Sequence, residues 1–422
     1  MRSEQEAQTI TTKKTESLIG LIDCNNFFAS CEEIFKPWLR NQPCAVLSNN
    51  DGCIIARNSM AKKIGLKMGE PYFKAQGLIK QFNVAIFSSN FKFYGEISKR
   101  VTQTIASSLP NYEIYSIDES FVDFSGINNP EALAHELRSK IQKWVSITTS
   151  IGIAPTKTLS KVANYYAKKS SSGVWILNNE DKINAALELM PVSEVWGVGW
   201  RLKEKLNDLN IKTALDLKNY SLSKIRRSFS VVLARTVLEL RGVPCLNLSM
   251  RQDQRKSIVF SRSFGTKITS ITELNEAIAE YTSRGAEKLR KNNLVVNQLV
   301  IFIKANRFTN NYFSKSILVN LDHSTDDSRI LIRAAQKATK EIFIDGYRYG
   351  KCGVMFLNLT NNNLMKCSLL SNPPSAGEQI KNKILMETID NINRKLEYRA
   401  LSFGACGTKK RWWMKGRNSP KF

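Results

Sequence analysis

Residues 112–126, YEIYSIDESFVDFSG, alternate apolar and polar side chains around an acidic turn. A period of two is typical of half-buried β-strands, so this segment predicts a hairpin with Asp118 and Glu119 in its turn. A further carboxylate, Asp23, closes the apolar run LIGLID at residues 18–23. Strands from separate parts of one β/α body can bring such positions together at one edge of a sheet.

The rest of the chain predicts several domains, because 422 residues exceed what one compact core usually holds. Two short strands are expected around an Asn-Asn-Asp-Gly turn at 45–56, and another strand at 146–154. Helices are expected near 57–64, 90–108 and 130–144. These elements indicate a β/α body, and residues 191–243 follow it as a series of short helical segments.

A second mixed region begins after residue 250. Its strand-like runs lie at 257–265, 294–305, 313–321 and 351–359, and its helical runs at 272–291 and 326–343. This order, β-α-β-β-α-β, is the ferredoxin-like arrangement. The remaining segment contains one amphipathic helix, at 378–396, and a basic aromatic end, KKRWWMKGR.

The chain has a formal net charge of +25 and a pI near 9.7, and the basic excess is larger in residues 251–422 than in residues 1–250. An uneven positive charge of this size favours a polyanionic partner, most simply nucleic acid. The eight cysteines form no C-x-x-C pair, so a structural zinc is not expected. No apolar run is long enough to span a bilayer and residues 1–17 do not resemble a secretory signal, which indicates an intracellular protein.

Three converging carboxylates would repel one another unless divalent cations lay between them. Mg²⁺ suits such a site, because it prefers hard oxygen ligands and accepts phosphate oxygens as the remainder. Two ions can activate an attacking hydroxyl and stabilise a leaving oxygen. Taken alone, however, an Asp-Glu pair in a turn is usually only a solvated pair.

The surrounding residues narrow the choice. LIDCNNFFASCE, SNNDGCIIARN and YSIDESFVD follow one another in the order found in Y-family DNA polymerases, and the chain resembles the UmuC type from about residue 18 to 420. The resemblance implies an α/β right-hand polymerase with a ferredoxin-like palm, small fingers, a helix-hairpin-helix thumb and a βαββαβ little finger. It also implies error-prone, template-directed synthesis past DNA lesions without proofreading, in an SOS-type response.

The resemblance assigns roles to individual residues. Asp23, Asp118 and Glu119 are the expected ligands of two Mg²⁺ ions, assisted by the backbone carbonyl of Cys24. Phe28 stands where the family places its steric gate, a flat ring that leaves no room for a ribose 2′-hydroxyl; from pattern alone it reads as a core residue. The residues expected to bind the incoming dNTP are Asn25, Asn26, Phe27, Arg57, Ser59, Lys62 and Lys161.

The segment WGVGWRLKEKL, residues 196–206, resembles a helix-hairpin-helix, in which a glycine turn and a helix N-terminus meet a phosphate independently of sequence. The expected DNA contacts are Gly197, Gly199, Arg201 and Lys203 in this segment, and Arg255, Lys256 and Arg262 in the basic start of the little finger. Binding of this kind is salt-sensitive and tolerant of sequence.

The tail departs from the family pattern. The segment aligned with the clamp-binding peptide, LMKCSLL at 364–370, lacks the glutamine and the terminal aromatic residue. The Trp412–Trp413 pair is compatible with base stacking and equally with a buried anchor. The resemblance further implies a processed UmuD-type dimer and a RecA filament as partners, and a bacterial cytoplasm, close to the nucleoid, as the place of action.

The expected domains are a tail at 1–17, a palm at 18–190 with fingers inserted at about 37–90, a thumb at 191–250, a little finger at 251–360 and a second tail at 361–422. Two other classes of function remain open. One is a non-catalytic DNA-binding or repair scaffold that has kept the fold, whose mark would be a lost carboxylate. The other is a two-metal nuclease or nucleotide cyclase, which would not need the thumb and the basic β/α domain.

Overall fold

The computed structural model describes residues 17–48, 51–249, 255–305, 312–362, 375–396, 400–408 and 412. The described residues fall into two compact units that divide between Gln252 and Asp253.

The first unit is built on a five-stranded palm sheet with the order β5-β6-β1-β7-β8. The central strand β1 pairs antiparallel with β6 and β7, and β8 joins β7 in parallel. The acidic hairpin predicted from the alternation is confirmed, with its two strands paired antiparallel. The strands are β1 (Ile19–Cys24), β5 (Tyr112–Ile114), β6 (Glu119–Asp123), β7 (Thr149–Ala154) and β8 (Val174–Ile176).

The palm helices cover the two faces of this sheet. One face, which carries Ile22 and Val122, packs on α1 (Phe27–Phe35), α4 (Phe91–Ala106) and α5 (Pro130–Val145). On the other, α6 (Lys157–Ala167) lies so close to β7 that a Cβ on Gly152 would meet the backbone of Asn164 at 2.1 Å. Only glycine allows this approach. Helix α6 was not predicted from the sequence.

The fingers are a three-stranded sheet with the order β3-β2-β4, in which β2 and β4 run parallel. The two predicted strands around the Asn-Asn-Asp-Gly turn are confirmed as the antiparallel pair β2 and β3, while β4 and α3 were not predicted. The elements are β2 (Cys44–Leu47), β3 (Ile54–Arg57), α2 (Ser59–Lys63), α3 (Tyr72–Gln81) and β4 (Ala85–Ser88). They enclose a small apolar core of their own.

Short helices complete the first unit. Those within 191–243 are as the sequence predicts, whereas the one at 180–189 precedes that range and was not predicted. They share an apolar core with Leu159 and Val162 of α6. The helices are α7 (Glu180–Leu189), α8 (Trp200–Asn207), α9 (Ala214–Asn219), α10 (Leu222–Ser228) and α11 (Val231–Leu240).

The second unit confirms the predicted β-α-β-β-α-β order. Four antiparallel strands lie in the order β11-β10-β12-β9, and α12 and α13 pack on the same apolar core. The elements are β9 (Ser257–Ile268), α12 (Ile271–Lys291), β10 (Leu294–Ala305), β11 (Ser314–Thr325), α13 (Ser328–Ile342) and β12 (Tyr349–Leu357). A short strand, β13 (Thr360–Asn361), pairs with the start of β10.

The tail packs on this second unit. Helix α14 (Ala376–Lys395) is attached by a bidentate ion pair in which the Arg290 guanidinium donates to both oxygens of Asp390, at 2.7 and 2.8 Å. Trp412 is only 2% exposed, and its ring packs edge-on against Phe264 and Tyr281. The structure therefore supports the anchor reading for Trp412; Trp413 and the segment 364–370 lie outside the described residues. Among the described helices, none has the length and apolar character needed to cross a membrane.

Candidate active site

Asp23 and Glu119 face each other across the palm sheet. They are register partners in the antiparallel pair of β1 and β6. Side chains alternate between the two faces of a strand. Leu21 and Phe121 lie on the face opposite Ile22 and Val122, so the two carboxylates project with them toward α6. Asp118 lies one residue earlier in the chain, and its carbonyl accepts a hydrogen bond from the Cys24 N–H at 2.8 Å.

Asp23 is the most deeply buried of the three carboxylates, at 6% exposure. Its Oδ2 accepts a hydrogen bond from Lys168 Nζ at 2.6 Å. Burial raises the pKa of Asp23 to about 7, with Lys168 opposing the shift and the negative charges of Glu119 and Asp118 adding to it. One lysine therefore does not compensate the negative charge gathered here.

Asp118 is oriented by the turn that precedes β6. The Ser116 hydroxyl donates to Asp118 Oδ1 at 2.6 Å and accepts from the backbone N–H of Asp118 at 3.3 Å and of Glu119 at 3.0 Å. The serine closes the turn, as hydroxyl side chains commonly do, and it fixes one carboxylate oxygen.

Glu119 makes its ion pair with a different lysine. Lys161 Nζ donates to both Glu119 oxygens, each at 3.0 Å. The same ammonium group lies 4.7 Å from the ring centre of Tyr115, 5.2 Å from that of Trp196 and 5.8 Å from that of Phe121. The sequence predicts a triphosphate contact for Lys161, and the structure places this side chain against the Glu119 carboxylate.

The donor set fits a hard divalent cation. Carboxylates of Asp23, Asp118 and Glu119 gather at one end of β1, beside the backbone of Cys24. The pKa of Asp23 is raised mainly by its burial, and the negative charges of Glu119 and Asp118 add to the shift. Within the described ranges, no group of three or more His, Cys, Asp and Glu side chains has the spacing of a formed metal centre. Lysine ammonium groups instead stand beside two of the carboxylates, where they supply the positive charge.

The loop after β1 carries the next group of predicted residues. Asn25 Oδ1 accepts from the Ser150 hydroxyl at 2.9 Å, and Asn26 has a left-handed backbone with φ 52° that turns the chain into α1. Asn tolerates this conformation better than most residues. Phe27 is 3% exposed and its ring lies in the palm core, so its side chain is not available to a nucleotide. Only the backbone of Phe27 therefore remains as a predicted contact of the nucleotide.

Phe28 is half-buried and held by other rings. It stacks on Tyr94 with the centroids 4.7 Å apart and the planes 20° from parallel, and Phe91 meets it edge-on at 5.6 Å. Tyr94 is fully buried and its hydroxyl donates to Glu32 Oε1 at 2.7 Å. The Phe28 ring is therefore fixed in position, as a steric gate requires.

The fingers bring cations toward the carboxylates. Burial lowers the pKa of Lys62, and the positive charges of Arg57 and Lys168 lower it further, while Asp23 opposes them. These contributions place the four groups within electrostatic range of one another. Arg57 Nε is buried and has no hydrogen-bond partner among the described residues. Ser59 is exposed at the start of α2, whose N-terminal cap is Asn58.

The predicted thumb contacts lie on one turn and the helix after it. Gly197 has φ 89°, which other residues rarely adopt, and Gly199 is the N-cap of α8. Arg201 and Lys203 are exposed on α8, and the Arg201 guanidinium lies 5.0 Å from the centre of the Trp200 ring. The turn and the helix N-terminus after it keep the prediction of a phosphate contact open.

The predicted contacts of the second unit divide into two groups. Arg255 and Lys256 are exposed just before β9. Arg262 is on β9, half-buried, with its pKa lowered by burial and by Arg284 of α12. Because side chains alternate along a strand, Arg262 shares a face of β9 with Phe264, whose ring lies in the core beneath α12, and not the open face. The sequence prediction for Arg262 overlooked this face, because alternation alone does not say which side the helices cover.

Lys168 is the main site residue that the sequence reasoning missed. Lys157, Lys161 and Lys168 are spaced four and seven residues apart, so they share one face of α6 and its C-terminal end. That spacing was the available signal, and it is readable only once 157–167 is recognised as a helix. Ser116 and Tyr94 were also missed, and nothing in their local sequence marks them.

The chain is similar to known proteins over most of its length. The model of the impB/mucB/samB family matches residues 22–165, the C-terminal domain of that family matches 255–369, and a domain of unknown function matches 383–421. The chain is 43% identical to protein UmuC of Salmonella typhimurium over 94% of its length and 96% of that protein. It is 40% identical to protein ImpB of Salmonella typhimurium, with 94% and 95% covered.

More distant proteins share the fold. DNA polymerase IV of Ureaplasma parvum is 27% identical over 78% of the chain and 91% of that protein. A solved Y-family DNA polymerase chimera superposes with a TM-score of 0.66 at 20% identity, covering 82% of the chain and 100% of the chimera.

Proposed function

We propose a mechanism from the premise that this chain belongs to the impB/mucB/samB family, the UmuC type of Y-family DNA polymerases. It is a DNA-directed DNA polymerase of the error-prone class that copies damaged templates, with primer-template DNA and dNTPs as substrates. The rival readings, a scaffold without catalysis and a nuclease or cyclase, lose their support because the family matches cover both the carboxylate-bearing region and the C-terminal domain.

The observation that carries the mechanism is the placement of Asp23 opposite Glu119. Asp118 lies beside them, because its carbonyl accepts a hydrogen bond from the N–H of Cys24, the residue after Asp23 on β1. This class of enzyme requires a divalent metal cation. The proposed ligands are the three carboxylates and the Cys24 carbonyl, and the proposed metal is Mg²⁺ in two positions. When bound, such ions activate the primer 3′-hydroxyl and stabilise the charge that develops as pyrophosphate leaves.

Lysine and arginine side chains bind the triphosphate in this proposal. Lys168 sits beside Asp23, and Lys62 and Arg57 approach from the fingers. Lys168 can turn from Asp23 to a phosphate oxygen once other cations neutralise that carboxylate, since its side chain is 45% exposed. Arg57 supplies an Nε donor that needs an acceptor. Ser59, Asn25, Asn26 and the backbone of Phe27 remain further proposed contacts.

Phe28 selects the sugar in this proposal. Its ring is supported by Tyr94 and Phe91, so it cannot move aside for a 2′-hydroxyl without breaking those ring contacts. Exclusion by a fixed ring differs from hydrogen-bond recognition, because it acts only against the larger sugar.

DNA is held by phosphate contacts that do not read sequence. Gly197, Gly199, Arg201 and Lys203 form the proposed thumb contact, and Arg255 and Lys256 the proposed contact of the second unit. We leave Arg262 out, because it lies on the side that α12 covers. Contacts of this kind make binding strongly dependent on salt.

Partners are proposed from the family alone. A processed UmuD-type dimer and a RecA filament would assist synthesis, and the place of action would be the nucleoid in the bacterial cytoplasm. Binding to a sliding clamp is not proposed through residues 364–370, because their sequence lacks the expected glutamine and aromatic residue.

Primer extension with Mg²⁺ tests the proposal. The purified chain, with and without a UmuD-type dimer and RecA filament, would be given undamaged and abasic templates. Incorporation opposite the abasic site, inhibited by EDTA, is the expected result. Complete inactivity of the wild-type chain under all these conditions would refute the proposed mechanism.

A further inference from the structure

Two lysines one turn apart on α6 reach the places where the chain enters and leaves the helical part of the first unit. Lys157 Nζ donates to the Asn247 carbonyl at 2.9 Å, and its partner Glu113 accepts from the Ser249 N–H at 2.6 Å. Lys161 instead lies beside Trp196, one residue before the glycine turn at Gly197. Both ends of the helical region are thus attached to the palm by neighbouring cations.

Lys161 is held more tightly than a lysine that must be free to bind substrate. Its ammonium group is paired with both Glu119 oxygens, and the side chain is 17% exposed. Three aromatic rings, those of Tyr115, Phe121 and Trp196, lie within 6 Å of it. Cation–π contacts of this kind are stronger when the cation is shielded from water, as Lys161 is here. Moving Lys161 to a phosphate would sacrifice these contacts together with the ion pair.

Trp196 connects the rings around Lys161 to the helix-hairpin-helix segment, residues 196–206. Its ring meets Tyr115 edge-on, with the centroids 5.5 Å apart and the planes at 89°, and it also lies 6.1 Å from Phe121. Val195 and Val198 on either side are buried in the core that the short helices share with α6. A shift of the helix-hairpin-helix segment therefore moves the Trp196 ring, which is one of the three rings that contact the Lys161 ammonium group.

We propose that Lys161 is a positioning residue. Enclosed by Tyr115, Phe121 and Trp196, it fixes the Glu119 carboxylate and makes the position of that carboxylate depend on the position of the helix-hairpin-helix segment, residues 196–206. The inference rests on the proposed function, because it assumes that Glu119 acts in nucleotidyl transfer. It assigns Lys161 a role in the rate of the chemical step. A triphosphate ligand would instead contribute to nucleotide affinity.

The test compares Lys161→Met with wild type in single-turnover primer extension over a range of dNTP concentrations. Loss of positioning should lower the rate at saturating dNTP by roughly 10²-fold, while the half-saturating dNTP concentration stays within about twofold of wild type. Lys161→Arg, which can pair with both carboxylate oxygens and stack on rings, should recover most of the rate. Lys169→Met is the matched control, because Lys169 lies 3.8 Å from the Tyr165 ring and makes no ion pair among the described residues.

A second readout does not depend on activity. Mn²⁺ binding to the DNA-free protein, followed by electron paramagnetic resonance, should be tighter in Lys161→Met, because a cation beside Glu119 has been removed. Trp196→Ala should slow the saturated rate as Lys161→Met does, and it serves alone if the lysine variant does not fold. Thermal unfolding verifies that each variant is folded.

The inference is overturned if Lys161→Met raises the half-saturating dNTP concentration at an unchanged saturated rate, which is the behaviour of a phosphate ligand. An unchanged saturated rate in both variants, or unchanged Mn²⁺ binding, overturns it as well. An inactive wild-type chain would instead refute the proposed function, so the two failures are distinguishable.

Discussion

Asp23 and Glu119 are direct register partners on β1 and β6, yet each is paired with a different lysine, Asp23 with Lys168 and Glu119 with Lys161. The two ion pairs differ in freedom. Lys168 is 45% exposed, whereas Lys161 is 17% exposed and enclosed by rings. Under the proposed mechanism, Lys168 exchanges Asp23 for a substrate oxygen, whereas Lys161 remains beside Glu119.

Replacing Asp118 by alanine should abolish most polymerase activity. The change removes a carboxylate that Ser116 orients. Removing one preorganised electrostatic group from an active site, such as an oxyanion-hole donor, costs roughly 10²- to 10³-fold in rate, and we expect at least a loss of that size here. Primer extension measures the effect. Asp123→Asn is the matched control, because Asp123 lies at the other end of β6 and its Oδ1 accepts from the Ser125 N–H. Activity persisting in Asp118→Ala would exclude this carboxylate from the metal site.

Phe28→Ala should admit ribonucleotides. Removing the ring that rests on Tyr94 opens space for a 2′-hydroxyl, so discrimination between dNTP and rNTP should fall by roughly tenfold or more. Paired single-nucleotide incorporation assays give the ratio of kcat/KM values. Phe35→Ala, at the far end of the same helix, should leave the ratio unchanged. The gate role is lost if both variants discriminate as wild type does.

Tyr94→Phe isolates the support beneath the gate. It keeps the stacked ring but removes the hydroxyl that donates to the buried Glu32, which should cost about 1–3 kcal/mol of stability. Chemical denaturation measures this loss. Sugar discrimination should decline only modestly, since the ring contact with Phe28 remains. A wild-type unfolding free energy in Tyr94→Phe would contradict a stabilising role for this hydrogen bond.

Lys168→Met should weaken dNTP binding. Loss of one charge-assisted phosphate contact, about 1.4 kcal/mol, would raise the KM for dNTP roughly tenfold. Steady-state incorporation at varied dNTP concentration is the measurement, with Lys169→Met as the neighbouring control. The proposal for Lys168 fails if KM does not change.

Trp412→Ala should destabilise the second unit. The ring is buried against Phe264 and Tyr281, with 2% of the residue exposed. Truncating a buried tryptophan to alanine typically lowers the free energy of unfolding by about 3–5 kcal/mol. Denaturant unfolding followed by circular dichroism would reveal the loss. Trp200→Ala provides the comparison, because Trp200 is 68% exposed on α8. Equal stability of the two variants would argue against the anchor.

Much of the fold is visible in the sequence because its apolar periodicities are local. The alternation at 112–126 predicts the acidic hairpin, and the β-α-β-β-α-β order of the second unit follows from runs that match strands and helices closely. The three carboxylates could also be selected from the sequence as candidate metal ligands, since the sequences around Asp23 and Asp118 are specific, and the structure brings them together at one end of β1.

The remaining features depend on which surfaces meet in space. The role of Lys161 is set by Glu119 and Trp196, which are remote in sequence, and Lys168 becomes meaningful only when α6 is seen against β1. Arg262 is a basic residue of the type that contacts DNA phosphates, but its side chain lies on the face of β9 that α12 covers. The sequence around Trp412 is compatible with base stacking and with a buried anchor, and the burial of its ring supports the anchor.

The burial of Trp412 against Phe264 also has a consequence for biosynthesis. Domains generally fold in order as the chain is made, yet the core that contains Phe264, in the second half of β9, is complete only when residue 412 has left the ribosome. A nascent chain that already has its palm carboxylates in place therefore still lacks a finished second unit. Premature termination before residue 412 would yield a catalytic body attached to an incompletely closed domain.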